Sequence, residues 1–386
     1  MATSPLIDPE VVLEALAGRA DGEAVLALSG ARIAVVGGFV RDSLLGREPR
    51  EIDLVVEGDV AEVAAQLGGE VTTHEQFLAA RVTRDGWSVD ITHARSERYP
   101  HPGALPVVEP ATLEHDLGRR DFTINAIAVT LDRHRLLAAD GAARDLAGRR
   151  LRILHDESFL DDPTRVIRLA RYSHRLGFVI EPHTAELAAQ ARLATLTGAR
   201  IGAELQLALL EPDPLAPLAD LTEQLPISVD RSQVHAALAI APADANRDLV
   251  VLGAVMRQRA SAEWIGALEL NAQERDIVIA ARRADEIASA IETARSASAL
   301  RDAVRGAPVE VIAIAGALGP REAATRWLSE LRHVKLEIDG DDLIRAGVVP
   351  GPLLGARLER TLRRKLDGEI EAGREAELRS ALKEEG

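Results

Sequence analysis

The 386-residue chain contains no cysteine, which excludes disulfides, zinc–thiolate sites and cysteine nucleophiles. Its ten histidines show no metal-ligand spacing of the His-Glu-x-x-His kind, so they read as surface or structural groups. No run of 18 apolar residues is present to cross a bilayer. The N-terminus has no basic segment followed by an apolar stretch, and the expectation is a soluble, non-exported, cytoplasmic protein. The common phosphate loops are missing as well. No Gly-x-x-x-x-Gly-Lys-Ser/Thr occurs, and no Gly-x-Gly-x-x-Gly opens a helix after a strand, which argues against P-loop and dinucleotide chemistry.

A net charge of −15 disfavours a sequence-blind grip on long RNA. The charge is uneven, however. From Arg144 to Arg200 there are ten Arg, seven Asp or Glu and no Lys, so this stretch carries +3 and the rest of the chain −18. A confined basic track fits inside an acidic protein. With 47% hydrophobic residues the chain is long enough to bury more than one core, so several domains are expected.

Gly37-Gly38-Phe39-Val40-Arg41-Asp42 follows the apolar run Ile33–Val36, which reads as a buried strand. The paired Gly37 and Gly38 let backbone N–H groups approach a phosphate closely, and Arg41 is placed to grip a triphosphate. Ten residues on, Glu51 and Asp53 alternate with Ile52 and Leu54, so strand periodicity puts the two carboxylates on one side. Such a pair repels unless a cation lies between them. Mg2+ suits it, taking one or two carboxylates plus phosphate oxygens, as in two-metal phosphoryl transfer. A glycine pair alone is an ordinary turn, and an acid-x-acid alone is an ordinary solvated strand face. Their joint spacing is what argues for a nucleotide site.

Two further stretches accompany the first: Arg119-Arg120-Asp121-Phe122-Thr123-Ile124-Asn125-Ala126 and Asp161-Asp162-Pro163-Thr164-Arg165. The three together resemble the motifs of the class II tRNA nucleotidyltransferases and the related bacterial poly(A) polymerases, within the polymerase-β-like superfamily. The similarity runs from about Ile33 to Leu210, and Gly340-Asp341-Asp342-Leu343 and Val349-Pro350-Gly351-Pro352-Leu353-Leu354-Gly355 resemble a further segment common in these enzymes. The resemblance implies an α/β plus all-α protein: a polymerase-β-like nucleotidyltransferase head followed by an elongated helical neck, body and tail. The corresponding boundaries are a lead-in helix within 1–30, a catalytic head at 31–146, a neck with the nucleotide-base template at 147–215, and a tRNA-binding body and tail at 216–386.

It also implies residue roles. Gly38 and Arg41 would contact the triphosphate, and Glu51 and Asp53 would hold Mg2+. Arg119, Arg120 and Asp121 would bind the incoming nucleotide, with Asp121 near the ribose. Asp162 and Arg165 would form a protein template for the base, and Arg168 and Arg171 would complete the pocket. The implied partners are the tRNA 3′ end, ATP and CTP; no protein partner is inferred.

Elementary chemistry supports the template role. Cytosine and adenine each present an exocyclic amine beside a ring-nitrogen acceptor, whereas uracil and guanine present a carbonyl beside a ring N–H. A carboxylate next to a guanidinium matches only the first pair, with charge-assisted bonds. A site built on such pairing rejects the wrong partner by about 10⁴-fold. The spacing agrees: with Pro163 in the first turn and Asp161 or Asp162 as the cap, Arg165, Arg168, Arg171 and Arg175 fall within about one third of a helix circumference.

Several departures from the family pattern bear on activity. Glu51 stands where the metal pair is usually Asp-x-Asp, Asp161 stands where many relatives have Glu, and the Asp-x-x-Gly-Gly hinge is reduced to Ala138-Ala139-Asp140-Gly141-Ala142. The Tyr99–Glu109 loop resembles the branch that holds separate CC-adding and A-adding enzymes. The leading expectation is therefore addition of C and/or A to the tRNA 3′ end from CTP and ATP. The alternatives are a poly(A) polymerase acting on other RNAs and a non-catalytic RNA-binding relative. The chain ends in Lys383-Glu384-Glu385-Gly386, not the basic extension a poly(A) polymerase would favour.

Finer expectations follow from the pattern. Residues 8–29 read as one helix, Val82 to Ile91 as strands around the turn Asp85-Gly86, and His101–Pro110 as a loop. Asp90 is a candidate third carboxylate. Arg200 and Glu204 read as a pair supporting the template helix. Arg357, Arg360, Arg363, Arg364 and Lys365 read as a second basic track.

Overall fold

The computed structural model describes residues 7–383; residues 1–6 of the expected lead-in segment and the acidic Glu384-Glu385-Gly386 lie outside them. The chain forms two compact units, one up to Asp220 and one from Leu221 onward.

The first unit opens with α1 (Pro9–Ala17) and α2 (Ala20–Leu26). The single helix expected over 8–29 is thus two. Asp8 caps α1 through the Glu10 N–H, Gly18 ends it, and Arg19 is extended while its guanidinium forks onto Asp21. Then come β1 (Arg32–Val36), α3 (Gly38–Leu44), β2 (Ile52–Glu57), α4 (Val60–Leu67), β3 (Glu70–His74), β4 (Ala79–Arg84) and β5 (Trp87–His93). β6 (Arg95–Arg98), β7 (Val107–Pro110), α5 (Leu113–Gly118), β8 (Ile127–Thr130) and β9 (Leu136–Ala138) complete the α/β part. One sheet has the order β3-β4-β5-β2-β1-β8-β9, with β2 and β5 parallel and the other neighbours antiparallel.

β1 and β2 are nearly all apolar and buried because both faces of the sheet are covered there. Register then aligns three strands at one level, pairing Val36 with Asp53 and Asp53 with Asp90. The β4–β5 hairpin turns on Asp85 and Gly86, both at positive φ, as a two-residue hairpin loop demands. The expected loop His101–Pro110 ends earlier than its prolines suggest. Val107–Pro110 is β7, paired with β6 on an edge where Pro110 costs no ladder bond.

Beyond this part the first unit is mainly helical: α6 (Ala142–Ala147), α7 (Ser158–Asp161), α8 (Thr164–Leu176), α9 (Pro182–Gln190) and α10 (Gly198–Leu209). In α8 the apolar side, Val166, Ile167, Leu169 and Ala170, is buried, which aims its arginines elsewhere.

The second unit is built from helices around Val309–Ala317, whose residues Val311 to Ala315 are almost fully buried. Its helix Pro352–Leu366 carries the expected second basic track. Those cations are largely spent within the unit: Arg357 donates to the Ala381 carbonyl, Arg360 to that of Lys383, Arg363 to Asp302, Arg364 to Glu369 and Ser380, and Lys365 to the buried Glu377. The track is a fastening for the tail more than a free cationic face. Among the described residues no helix is long and apolar enough to cross a membrane.

Candidate active site

A cavity of about 900 Å³ in the first unit is lined by residues from all three sequence motifs. Ten arginines and seven carboxylates line it, so in a chain of net charge −15 this surface favours an anion.

β1 delivers the chain to Gly37, whose φ of 69° suits glycine. A Cβ there would come within 3.0 Å of Arg120 Nη1 and 3.7 Å of Asp53 Oδ2, so the missing side chain leaves a cradle between a cation and a carboxylate. Glu51, just ahead of β2, and Asp53 line the same cavity. Burial pushes the Asp53 carboxyl up to about 6; Asp90 and Glu51 add to the rise and Arg120 opposes it. A carboxylate held so reluctantly as an anion is one that a cation relieves. Asp90 stands next to Asp53, as the expectation of a third carboxylate requires, but Arg81 forks both of its oxygens at 2.7 and 2.6 Å. Among the described residues no three His, Cys, Asp or Glu form a ready metal cage. The donor set therefore fits a hard ion that takes two carboxylates and draws its other ligands from water and phosphate.

Arg41 lines the cavity but is only 1% exposed. It donates to both oxygens of Asp42 and to Asn125, and lies 5.3 Å from the centre of the Tyr172 ring. The triphosphate contact expected of Arg41 is not open while these bonds hold. Arg119 and Arg120 converge on Asp116, a fully buried carboxylate on α5. Arg119 also reaches Glu97, at 2.6 Å. Neither Asp116 nor Glu97 stood out in the sequence; a buried acid three and four residues ahead of an Arg-Arg pair was the available signal.

Asp121 accepts from Asn125 and, through Oδ2, from Arg168 Nε and Nη2 at 2.9 and 2.7 Å. Burial works against its charge, but Arg168 and the Asn125 amide hold the carboxyl down at about 2. Asp121, expected near the ribose, lines the cavity and orients Arg168.

Asp162 ends α7 and caps α8. Its Oδ1 accepts from the Thr164 N–H at 3.0 Å, the Thr164 hydroxyl at 2.6 Å and Arg200 at 2.6 Å. Its Oδ2 takes no hydrogen bond from the described residues. Arg165 uses two of its five donors, on Ser158 and the Arg119 carbonyl. Asp162, with one carboxylate oxygen unused, and Arg165, with a partly used guanidinium, both line the cavity.

The expected Arg200–Glu204 pair is exchanged for two others. Glu204 binds Arg171 at 2.6 Å and Arg168 at 3.3 Å, whereas Arg200 goes to Asp162 and to the carbonyl of Gly103. Two side chains one turn apart on α10 thus bind different partners, Glu204 the arginines of α8 and Arg200 the Asp162 carboxylate ahead of it.

Comparison with known proteins adds the family. Residues 33–152 match the Poly A polymerase head domain. A solved CCA-adding enzyme in an apo form is 31% identical, with a TM-score of 0.77, over 98% of this chain and 96% of that one. The chain belongs to the class II tRNA nucleotidyltransferases. A second solved relative, the Thermotoga maritima CCA-adding enzyme complexed with tRNA, has a TM-score of 0.72 at 29% identity, over 98% of this chain and 96% of that one. The A-adding tRNA nucleotidyltransferase of Geobacter sulfurreducens is 34% identical over 90% of this chain and 44% of its own length. The chain spans about half or less of the length of the curated A-adding relatives it matches. Family membership implies dependence on a divalent metal, and the head and helical parts have the expected fold.

Proposed function

We propose that the protein adds C and/or A to the 3′ end of tRNA, using CTP and ATP. In each cycle the terminal ribose hydroxyl oxygen bonds to the α-phosphorus. The bond from that phosphorus to the bridging β-oxygen breaks, pyrophosphate leaves with the electron pair, and the hydroxyl proton passes to solvent. The observation that carries this reading is the unfilled Asp162 Oδ2 beside Arg165, in the same cavity as Glu51 and Asp53.

In this reading Asp162 accepts from the exocyclic amine of cytosine or adenine and Arg165 donates to the ring nitrogen. Arg168 and Arg171, tied to Glu204, keep the template helix in register. Gly37 and Gly38 leave room for phosphate oxygens, with Arg120 beside them, while Arg119, Arg41 and Asp121 hold the pocket's shape. Glu51 and Asp53 are the residues to hold Mg2+, which when bound lowers the pKa of the attacking hydroxyl and neutralises the leaving pyrophosphate. The working partition is a catalytic head at 31–146, a neck at 147–215 and a tRNA-binding body and tail at 216–386. Work on tRNA in turn suggests a cytoplasmic location.

The test uses Mg2+ and tRNA transcripts ending at the discriminator base, at C or at CC, each with CTP, ATP or both, and products resolved to one nucleotide. Stepwise completion to CCA marks a full CCA-adding enzyme. Stopping at CC, or acting only on the CC-ended transcript, assigns half of the reaction. Long adenylate tails favour a poly(A) polymerase, and no extension on any transcript overturns the proposal.

A further inference from the structure

Nine of the ten arginines lining the cavity donate hydrogen bonds at ordinary distances within the first unit. Arg50 is the exception among the described residues. Its one ion pair, with Glu211, is long, 3.8 Å from Nη2 to Oε2, and its side chain is 51% exposed. Arg50 is also the residue directly before Glu51, so its guanidinium starts from the same turn as a carboxylate assigned to the metal.

Glu211 is unusual in the opposite sense. Its side chain is 3% exposed, yet neither carboxylate oxygen has a hydrogen-bond partner among the described residues. Arg171 Nε lies 3.5 Å away on its other side. A buried carboxylate without hydrogen bonds is costly and needs a nearby cation. Here two cations approach it and neither is fully committed.

We propose that Arg50 is a phosphate-binding residue that rests against Glu211 and swings from it to the pyrophosphate portion of the bound nucleoside triphosphate. The inference rests on the proposed nucleotidyl transfer and assigns a contact that Arg41, locked by Asp42 and Asn125, does not supply. Three physical points favour the exchange. A guanidinium stays charged and grips phosphate oxygens with two parallel donors. A half-exposed ion pair at 3.8 Å holds Arg50 only weakly in water. When Arg50 leaves, Arg171 still faces Glu211, so no buried charge is stranded. The charges on the other side push the same way, because burial together with the positive charges of Arg41 and Arg50 lowers the Arg175 pKa. An anion arriving between Arg50 and Arg175 relieves that repulsion.

The test is calorimetric binding of pyrophosphate, CTP and CMP, with Mg2+, to the full chain and to Arg50→Gln, Arg50→Lys and Glu211→Gln. Arg50→Gln should weaken pyrophosphate and CTP about tenfold, the value of a charge-assisted hydrogen bond, and leave CMP unchanged. Arg50→Lys should recover part of the loss. Glu211→Gln, which removes the resting partner, should bind pyrophosphate at least as tightly as the wild type. Unchanged pyrophosphate and CTP affinity in Arg50→Gln overturns the proposal, as does an equal loss for CMP, which marks a general structural effect. A wild type that binds no CTP at all overturns the nucleotidyl-transfer reading itself, a separate and recognisable failure.

Discussion

The two ends of the cavity are built on opposite plans. At the proposed base-reading end Arg168, Arg171, Asp121, Glu204, Asp162 and Arg200 are tied together by ion pairs of 2.6–3.3 Å. At the proposed phosphate end Glu51 and Asp53 line the cavity, Asp53 with its carboxyl pushed up by burial, and Arg50 has only a long ion pair. The difference fits the role proposed for each end. Reading a base requires donors and acceptors that stay in place, because discrimination is lost when the reading groups relax onto the wrong partner. Holding a metal and a triphosphate requires charge that is left over for the ligand.

The strongest break falls at the open end. Asp53→Ala should lower pyrophosphate release by about a thousandfold, the several kcal/mol expected of metal-ion catalysis, with tRNA binding nearly intact. A parallel loss of tRNA affinity in a filter-binding assay would show that Asp53 acts through structure and not through the metal.

At the closed end the cost should appear as stability. Glu204→Ala removes the carboxylate that Arg171 holds at 2.6 Å and the second of the two that Arg168 holds, leaving Asp121 on Arg168 and only the long Glu211 contact on Arg171. For a buried pair this costs about 3–5 kcal/mol, read as a lower denaturant midpoint. A change within about 0.5 kcal/mol, the size of an exposed surface change, would mean that water already satisfies those guanidiniums.

Asp162→Ala removes the proposed reading group and also frees Arg200. Discrimination of CTP and ATP against UTP and GTP should fall by roughly a hundredfold, measured as ratios of kcat/KM. Retained selectivity would move the template elsewhere.

The smallest effect is a pH dependence. Folding lowers the Asp121 carboxyl from 3.8 to about 2. The resulting stabilisation is fully present above the unfolded value and is lost as the pH falls through the folded one. It amounts to about 2 kcal/mol. The stability gap between wild type and Asp121→Asn should therefore be constant from pH 7 to about 5 and narrow between about pH 4 and 2. A gap unchanged at pH 2 would assign the effect to the hydrogen bonds alone.

Much of the site was legible in the sequence because its parts are local. The strand-turn-helix around Gly37 and the alternation of Glu51 and Asp53 with apolar residues each express a short-range rule. So does the arginine spacing in α8. What escaped was the choice of partner. Arg200 and Glu204 sit at helical i, i+4 spacing and read as a pair, yet each finds a nearer charge on another element. Asp116 looked like one acid among many until α5 placed it, fully buried, under two arginines. Arg41 carries the expected motif position, but Asn125, 84 residues away, takes one of its donors. The lead-in segment misled for a simpler reason: a helical pattern does not reveal that Gly18 and an extended Arg19 interrupt it.

The sequence by itself determined most of the strands and helices of the head, where the three motifs lie, and that a surplus of arginine sits inside an acidic chain. Only the tertiary structure decided which partner each arginine takes and that Arg50 is left with a single long ion pair. Propensity and periodicity act over a few residues, whereas Coulomb attraction acts through space. Among ten guanidiniums of the same chemistry, only their positions in the fold assign the partners.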